Sequence, residues 1–206
     1  MIYYKICRVF FKLSLGLTGK TTCIGTENIP KTGGVIIAPN HISFADPPII
    51  SMVMSRQVFF MAKEELFRIP MLGFLMRKAG SFPVHRGSAD RRALKHAIKT
   101  LEEGRVMCIF PEGMRSPDGK LQKPELGLGM IALKARATII PAAIIGTDKV
   151  LPIHAKRLHF HPMKVIFGKP VPISDLYDAD SSRQAIEEVG RRTMAEIADL
   201  LSKYSN

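Results

Sequence analysis

Residues 35–41 have the sequence Val-Ile-Ile-Ala-Pro-Asn-His, an unbroken apolar run that is followed at once by polar side chains. A short apolar run without alternation is typical of a strand buried on both faces of a sheet. Further strands are predicted at residues 21–25, 58–61, 106–110, 138–145 (broken by Pro141) and 164–167, and helical patterns separate them. Apolar strands that alternate with helices predict an α/β fold, with a mainly parallel central sheet flanked by helices on both faces.

The composition is that of a folded protein with an unusual charge. The chain has 206 residues, 46% hydrophobic and 23% charged, which favours a globular protein and excludes a disordered one. Its formal net charge of +12 attracts polyanions, so nucleic acid, anionic lipid and phosphorylated substrates are all candidate partners. Cys7, Cys23 and Cys108 show no C-x-x-C spacing, so neither a disulfide framework nor a zinc site is expected, and a reducing cytoplasm fits best.

Residues 1–20 are the candidate membrane-interface helix, and residues 21–206 are expected to form one domain. Lys5, Arg8 and Lys12 interrupt the apolar residues, so no run approaches the roughly 20 residues that a spanning helix needs. On a helix these cations share one narrow sector, and apolar side chains occupy much of the remainder. The pattern predicts a helix in the interface of the cell membrane, peripheral or monotopic on its cytoplasmic side. The alternative is a first helix that packs against the core.

Two later helices carry capping signals. Ser88 precedes a helical pattern at residues 89–103 and is expected to cap it. Ser181, with Gln184 three residues later, has the spacing of a capping box at the start of the last helix.

Reactive side chains gather directly after the apolar runs, at residues 40–46, 80–86 and 110–116. Ligands of open α/β sheets bind in the loops beyond the carboxyl ends of the strands. The three segments therefore predict one site that contains a base, two carboxylates and two guanidinium groups.

His41 and Asp46 are the candidate catalytic pair. On a regular helix they would lie about 140° apart, so they cannot share a helical face. Pro47 favours an extended conformation at Asp46, and we expect a turn that brings the carboxylate back to the imidazole. A carboxylate on one ring nitrogen prepares the other nitrogen to act as a general base. The alternatives are that Asp46 is a plain helix cap and that His41 is a loop histidine without a role.

Two other chemistries are disfavoured by the pattern. Ser43 lies beside His41, but no G-x-S-x-G elbow surrounds it, which argues against a serine nucleophile. His154, His159 and His161 have no clear carboxylate or cysteine partner nearby, so no metal site is predicted.

The blocks N-H-x-S-x-x-D at 40–46, G-x-F-P-V-x-R at 80–86, F-P-E-G-x-R-S at 110–116 and Ile140-Pro141 resemble, in order and spacing, the four blocks of the glycerolipid acyltransferases. The resemblance is closest to the bacterial 1-acylglycerol-3-phosphate acyltransferases. It runs from about residue 22 to residue 173, and Met114 stands where the family usually has threonine.

The resemblance implies a role for each matched residue. His41 would deprotonate the substrate hydroxyl while Asp46 holds its ring, and no covalent acyl-enzyme is needed because a thioester is already activated. Glu112 is expected to orient an arginine or to accept a bond from the glycerol backbone. The implied substrate-binding residues are Lys63, Arg86, Glu112, Gly113 and Arg115, with the two arginines on the substrate phosphate.

The implied reaction transfers a fatty acyl group from acyl-CoA or acyl-acyl carrier protein to the sn-2 hydroxyl of 1-acylglycerol-3-phosphate, giving phosphatidic acid. No cofactor beyond the acyl thioester and no nucleic-acid partner are expected, whereas an anionic membrane surface and an acyl carrier protein are. Two alternatives stay open. One is an acyltransferase with another acceptor, such as glycerol-3-phosphate or a different lysolipid, and the other is a non-catalytic basic protein that binds membrane or nucleic acid.

Overall fold

The structure, a computed structural model, describes residues 2–85, 90–155, 157–177 and 182–205. The strands are β1 (Thr21–Ile24), β2 (Val35–Pro39), β3 (Val58–Lys63), β4 (Ser81–Val84), β5 (Val106–Cys108), β6 (Thr138–Ile145) and β7 (Met163–Phe167). The α-helices are α1 (Ile2–Gly16), α2 (Asp46–Val53), α3 (Glu64–Phe67), α4 (Pro70–Ala79), α5 (Arg91–Glu102), α6 (Leu126–Ala135), α7 (Thr147–Val150) and α8 (Arg183–Tyr204). Single 3₁₀ turns lie at Thr26–Asn28 and Ser174–Leu176.

The strands form one sheet in the order β1-β7-β6-β2-β5-β3-β4. All neighbouring strands are parallel except β6 and β7, which are antiparallel. The predicted mainly parallel sheet is therefore confirmed. The apolar pattern does not predict β4, which contains Pro83 and lies at the edge of the sheet, where a missing N–H is tolerated.

Strand β2 joins the two layers of the core. Val35 and Ile37 face the layer that holds α1 and α2, whereas Ile36 and Ala38 face the layer that holds α5, α6 and α8. All four side chains are completely buried, which is why the sequence shows no polar alternation here. Each buried valine or isoleucine contributes about 1.5–3 kcal/mol to folding. The prediction of helices on both faces is confirmed.

Strand β6 continues through Pro141, so the predicted break is wrong. Pro141 is in register with Ala38 of β2. The carbonyl of Pro141 accepts the N–H of Gly168, the residue after β7, at 2.8 Å. The N–H and carbonyl of a strand residue point to the same side, so the missing N–H of Pro141 would also face the end of β7. The proline therefore forfeits a ladder bond only where the pairing with β7 stops.

The helix caps differ from the predicted ones. Asp90 caps α5 through its carboxylate. Ser182 caps α8, because its Oγ accepts the N–H of Ala185 at 3.2 Å. Ser88 and Ser181, the predicted caps, lie outside the described residues. Serine and aspartate are about equally good caps, so adjacent candidates cannot be ranked from the sequence alone.

Helix α1 contacts α2 and α4 by one face. Tyr4 and Leu15 are buried on this face, and the Tyr4 hydroxyl accepts the N–H of Val58 at 3.3 Å. Five other apolar side chains of α1 point outwards and are between 57% and 67% exposed: Ile2, Ile6, Val9, Phe10 and Leu13. No helix in the described ranges combines the length and apolarity that crossing a membrane requires.

Two glycines of α6 provide a matched test of the packing between α6 and α8. A Cβ on Gly129 would lie 2.3 Å from the carbonyl oxygen of Ile186, whereas a Cβ on Gly127 would have no neighbour within 4 Å. We expect Gly129→Ala to lower the free energy of unfolding by about 1–3 kcal/mol, because backbone must move aside. Gly127→Ala should leave it unchanged or raise it by up to about 1 kcal/mol through helix propensity. Denaturant unfolding measures both, and equal stabilities would contradict the packing described.

Candidate active site

The loops after β2, β5 and β6 meet beyond the carboxyl ends of these strands, because the three strands are adjacent and parallel. We call this side of the sheet the carboxyl edge. His41 lies just beyond the end of β2, Glu112 beyond the end of β5, and Thr147 beyond the end of β6. Residues far apart in the sequence are thereby brought together, as expected at the carboxyl ends of parallel strands.

The predicted contact between His41 and Asp46 is confirmed. Nδ1 of His41 lies 2.8 Å from Oδ2 of Asp46. The same oxygen accepts the backbone N–H groups of Ile42 at 2.7 Å and of Ser43 at 2.8 Å. An ionised carboxylate only accepts hydrogen bonds, so Nδ1 carries the hydrogen and Nε2 is left for a substrate.

The backbone at Asp46 differs from the prediction. Helix α2 begins at Asp46, so the residue is helical rather than extended. Pro47 and Pro48 follow in the first turn, where their missing N–H groups cost little. Asp46 is not a helix cap either: Ala45 holds that position, and the Asp46 carboxylate bonds to the loop before it. A turn in which Asp46 N–H donates to Ser43 O at 3.3 Å returns the carboxylate towards His41.

The second carboxylate oxygen of Asp46 is also held. Oδ1 accepts the hydroxyl of Thr147 at 2.6 Å, and both side chains are completely buried. Sequence reasoning did not find Thr147. The one available signal was Gly146-Thr147 directly after an apolar strand, a turn-forming glycine followed by a hydroxyl at the same edge as His41.

The loop after β5 fixes the orientation of His41. Ser116 N–H donates to the His41 carbonyl at 2.7 Å, and the His41 N–H donates to Glu112 Oε1 at 2.8 Å. The ring of Phe110 stacks on the imidazole, with centroids 3.9 Å apart and planes 21° apart. Only 10% of the His41 side-chain surface is exposed. Phe110 holds the ring on one face, and Asp46 holds it at Nδ1.

Glu112 is buried, and backbone groups occupy both of its carboxylate oxygens. Besides the bond from His41, Oε2 accepts the N–H of Gln122 at 2.9 Å. Burial raises the pKa of the Glu112 carboxyl above its usual value, and the two backbone bonds act in the opposite direction. These contacts favour a role in joining loops. Gly113 follows with a φ of 69°, which suits glycine.

The predicted cationic residues have different surroundings. The guanidinium carbon of Arg115 lies 3.5 Å from the ring centroid of Phe44, which is 54% exposed. Arg115 is next to Ser116 in the chain and is therefore close to the His41 loop. Lys63 ends β3, is exposed, and pairs with Glu65 at 3.1 Å. Arg86 lies outside the described residues.

Ser43 and Asn40 support the backbone of the site. The Ser43 hydroxyl is completely buried and donates to Leu151 O at 2.8 Å, an arrangement that does not suit a nucleophile. The Asn40 side chain accepts from Ile144 N–H at 2.7 Å and donates to Ile144 O at 3.0 Å, extending the pairing between β2 and β6.

A buried thiol lies near the catalytic pair. Burial, and then the charge of Asp46, raise the pKa of Cys108 well above its usual value.

Within the described ranges, no group of three or more His, Cys, Asp or Glu side chains is placed to hold a metal ion.

Comparisons with known proteins agree with this geometry. The acyltransferase family model matches residues 20–145. The 1-acyl-sn-glycerol-3-phosphate acyltransferase of Bacillus subtilis is 30% identical over 204 residues, which are 97% of this chain and 99% of the relative. The enzyme of the same name from Borreliella burgdorferi is 37% identical over 144 residues, 68% of this chain and 58% of the relative.

A solved structure is similar over nearly the whole chain. The crystal structure of the 1-acyl-sn-glycerophosphate acyltransferase of Thermotoga maritima superposes with a TM-score of 0.76 at 31% identity, and it covers 95% of this chain and 79% of that one. The family model spans the segments that carry His41, Asp46, Glu112 and Arg115. With its fold, its four sequence blocks and its buried histidine–aspartate pair, this chain belongs to the acyltransferase family.

Proposed function

We propose that this acyltransferase moves a fatty acyl group from an acyl thioester to the sn-2 hydroxyl of 1-acylglycerol-3-phosphate, giving phosphatidic acid. The observation that carries the proposal is the bond of 2.8 Å between His41 Nδ1 and Asp46 Oδ2 at the carboxyl edge of the sheet. Relatives with this named activity align over 97% and 68% of the chain, which supports the same acceptor. Acyl-CoA and acyl-acyl carrier protein are both suitable donors, and no further cofactor takes part.

The reaction follows from the placement of the imidazole. Nε2 of His41 takes the proton of the acceptor hydroxyl as its oxygen forms a bond to the thioester carbon. The tetrahedral intermediate then expels the thiolate, which takes the proton from Nε2, so that an ester, a thiol and a neutral His41 remain. Asp46 stabilises the transient imidazolium, and the stacked ring of Phe110 lies against its face. General-base catalysis of this kind contributes roughly 10²- to 10⁴-fold.

The phosphate of the acceptor is held by cations around this edge. Arg115 is fixed in plane by the ring of Phe44, and a planar guanidinium can donate to two phosphate oxygens. Lys63 is the last residue of β3. Its match to the family's basic segment, and the match of Arg86 to the second block, support both as further contacts of the same phosphate. Glu112 and Gly113 shape this loop, because the Glu112 carboxylate already accepts two backbone N–H groups.

Attachment to the cytoplasmic face of an anionic membrane accompanies this function. We call the exposed side chains of Ile6, Phe10 and Leu13 on α1 and of Met71 and Phe74 on α4 the apolar strip. Tyr3 joins the two helices, since its ring packs edge-on against Phe74 at 5.9 Å. Lys5 and Lys12 are exposed beside this strip on α1 and suit lipid phosphates. A lysolipid acceptor resides in a bilayer, so an enzyme that binds the surface meets its substrate there.

His41→Ala should lower acyl transfer at least about 100-fold, because the general base is lost. Purified protein is assayed with labelled acyl donor and a panel of acceptors: 1-acylglycerol-3-phosphate, glycerol-3-phosphate and a neutral lysolipid. Circular dichroism checks that the variant is folded. Full activity of His41→Ala would refute the general-base mechanism, and a preference of the wild type for another acceptor would refute the substrate. Salt-sensitive binding to vesicles without any transfer would instead identify a non-catalytic membrane protein.

Arg115→Ala should raise the KM for 1-acylglycerol-3-phosphate by roughly 10- to 100-fold, because a charged hydrogen-bonding partner of the phosphate is removed. The KM for the acyl donor should change little. The acceptor KM of Arg115→Lys should lie between those of the wild type and Arg115→Ala. Arg105→Ala is the matched control, since Arg105 also lies over a phenylalanine ring, that of Phe59, but at the opposite end of β5. An unchanged acceptor KM in Arg115→Ala would remove the phosphate role.

Replacing Phe10 and Leu13 together by serine should weaken binding to vesicles of phosphatidylcholine and phosphatidylglycerol at least roughly 10-fold, because buried apolar area is lost. Lys5→Gln with Lys12→Gln should weaken it chiefly at low salt. Ile24→Ser is the control, since this exposed apolar side chain belongs to β1 rather than to α1 or α4. Cosedimentation measures all variants, and wild-type binding by the serine double variant would exclude the apolar strip as the membrane contact.

A further inference from the structure

Thr147 contacts the catalytic carboxylate from a distant part of the chain. It is the first residue of α7, directly after β6, and is separated from Asp46 by 101 positions. Its Oγ1 donates to Asp46 Oδ1 at 2.6 Å, and neither side chain is exposed. A hydrogen bond to an ionised acceptor is both short and stronger than one between neutral groups.

The bond from Thr147 differs in origin from the other bonds of the carboxylate. Those to Oδ2 come from His41, Ile42 and Ser43, which belong to the same loop and move with it. Oδ1 is bonded from a different strand, so the plane of the carboxylate is fixed with respect to the sheet and not only to its own loop. A carboxylate held at one oxygen retains rotation about its Cβ–Cγ bond, whereas one held at both does not.

The position of Thr147 is itself rigid. Gly146 has a φ of 86°, and a Cβ on it would lie 2.4 Å from the carbonyl oxygen of Pro162, so the turn requires glycine. At the other end of α7, Leu151 O accepts the hydroxyl of Ser43 at 2.8 Å. Helix α7 therefore contacts the His41 loop at two points, through Thr147 and through Leu151.

We propose that Thr147 is a positioning residue of the acyl-transfer reaction, which holds Asp46 so that Oδ2 stays aligned with Nδ1 of His41. The inference rests on the general-base function proposed above. Thr147 acts through Asp46 and does not touch the reacting atoms. Loss of its hydroxyl leaves a buried oxygen of a charged group without its donor and releases the plane of the carboxylate.

The experiment compares Thr147→Val, which keeps the shape and removes the donor, with Thr147→Ser, which keeps the donor. For the valine variant we expect kcat to fall roughly 10- to 100-fold, the value of one bond to a charged group. Both KM values should stay within about 2-fold, so that the loss appears in the chemical step and not in substrate binding. The serine variant should restore most of kcat.

A purely structural threonine would behave differently. Valine would then lower the thermal stability and leave the kcat of the folded fraction unchanged, and this result overturns the proposal. If the valine variant does not fold, Thr147→Cys, which supplies only a weak donor, is measured against Thr147→Ser by the same criteria. If the general-base mechanism itself is wrong, His41→Ala retains activity. If only the positioning role is wrong, His41→Ala is inactive and Thr147→Val has the kcat of the wild type.

Discussion

The burial of the Asp46 carboxylate is the constraint on which the rest of the site depends. A charge with no exposed surface is stable only if its lone pairs are occupied, because an isolated carboxylate in a protein interior is strongly disfavoured. Here the imidazole, two backbone N–H groups and a hydroxyl occupy them. Three of these donors come from the turn after β2 and the fourth from the start of α7, so both segments have little freedom to differ from their observed form.

The parallel sheet is what delivers these groups together. Because β2 lies between β6 and β5, the loops that follow all three strands open at the same edge. The loop after β5 then holds the backbone of His41 on both sides, through Glu112 and Ser116. Blocks that are separated by tens of residues in the chain thus form a single hydrogen-bonded unit, which explains why their order and spacing together are more informative than any one of them.

The fold and the catalytic pair could be predicted from the sequence because both have local signals. The fully buried strand β2 shows as an unbroken apolar run, and His41 follows it directly. Thr147 was not predicted, since a glycine and a threonine after a strand are a weak signal, and only the three-dimensional register brings Thr147 to Asp46. The continuation of β6 through Pro141 could not be predicted either, because it depends on where the partner strand β7 ends.

The burial of Cys108 has a consequence for chemical labelling. A thiol reacts with maleimides and alkylating agents as its thiolate, and the burial of Cys108, reinforced by the charge of Asp46, suppresses that form strongly. Cys23 is exposed on β1, the outermost strand beside β7, and burial and the charge of Glu27 raise the pKa of its thiol less than that of Cys108 is raised. A fluorophore or spin probe would therefore attach at Cys23 before it reached the catalytic centre, giving the enzyme a reporter without engineering a new cysteine.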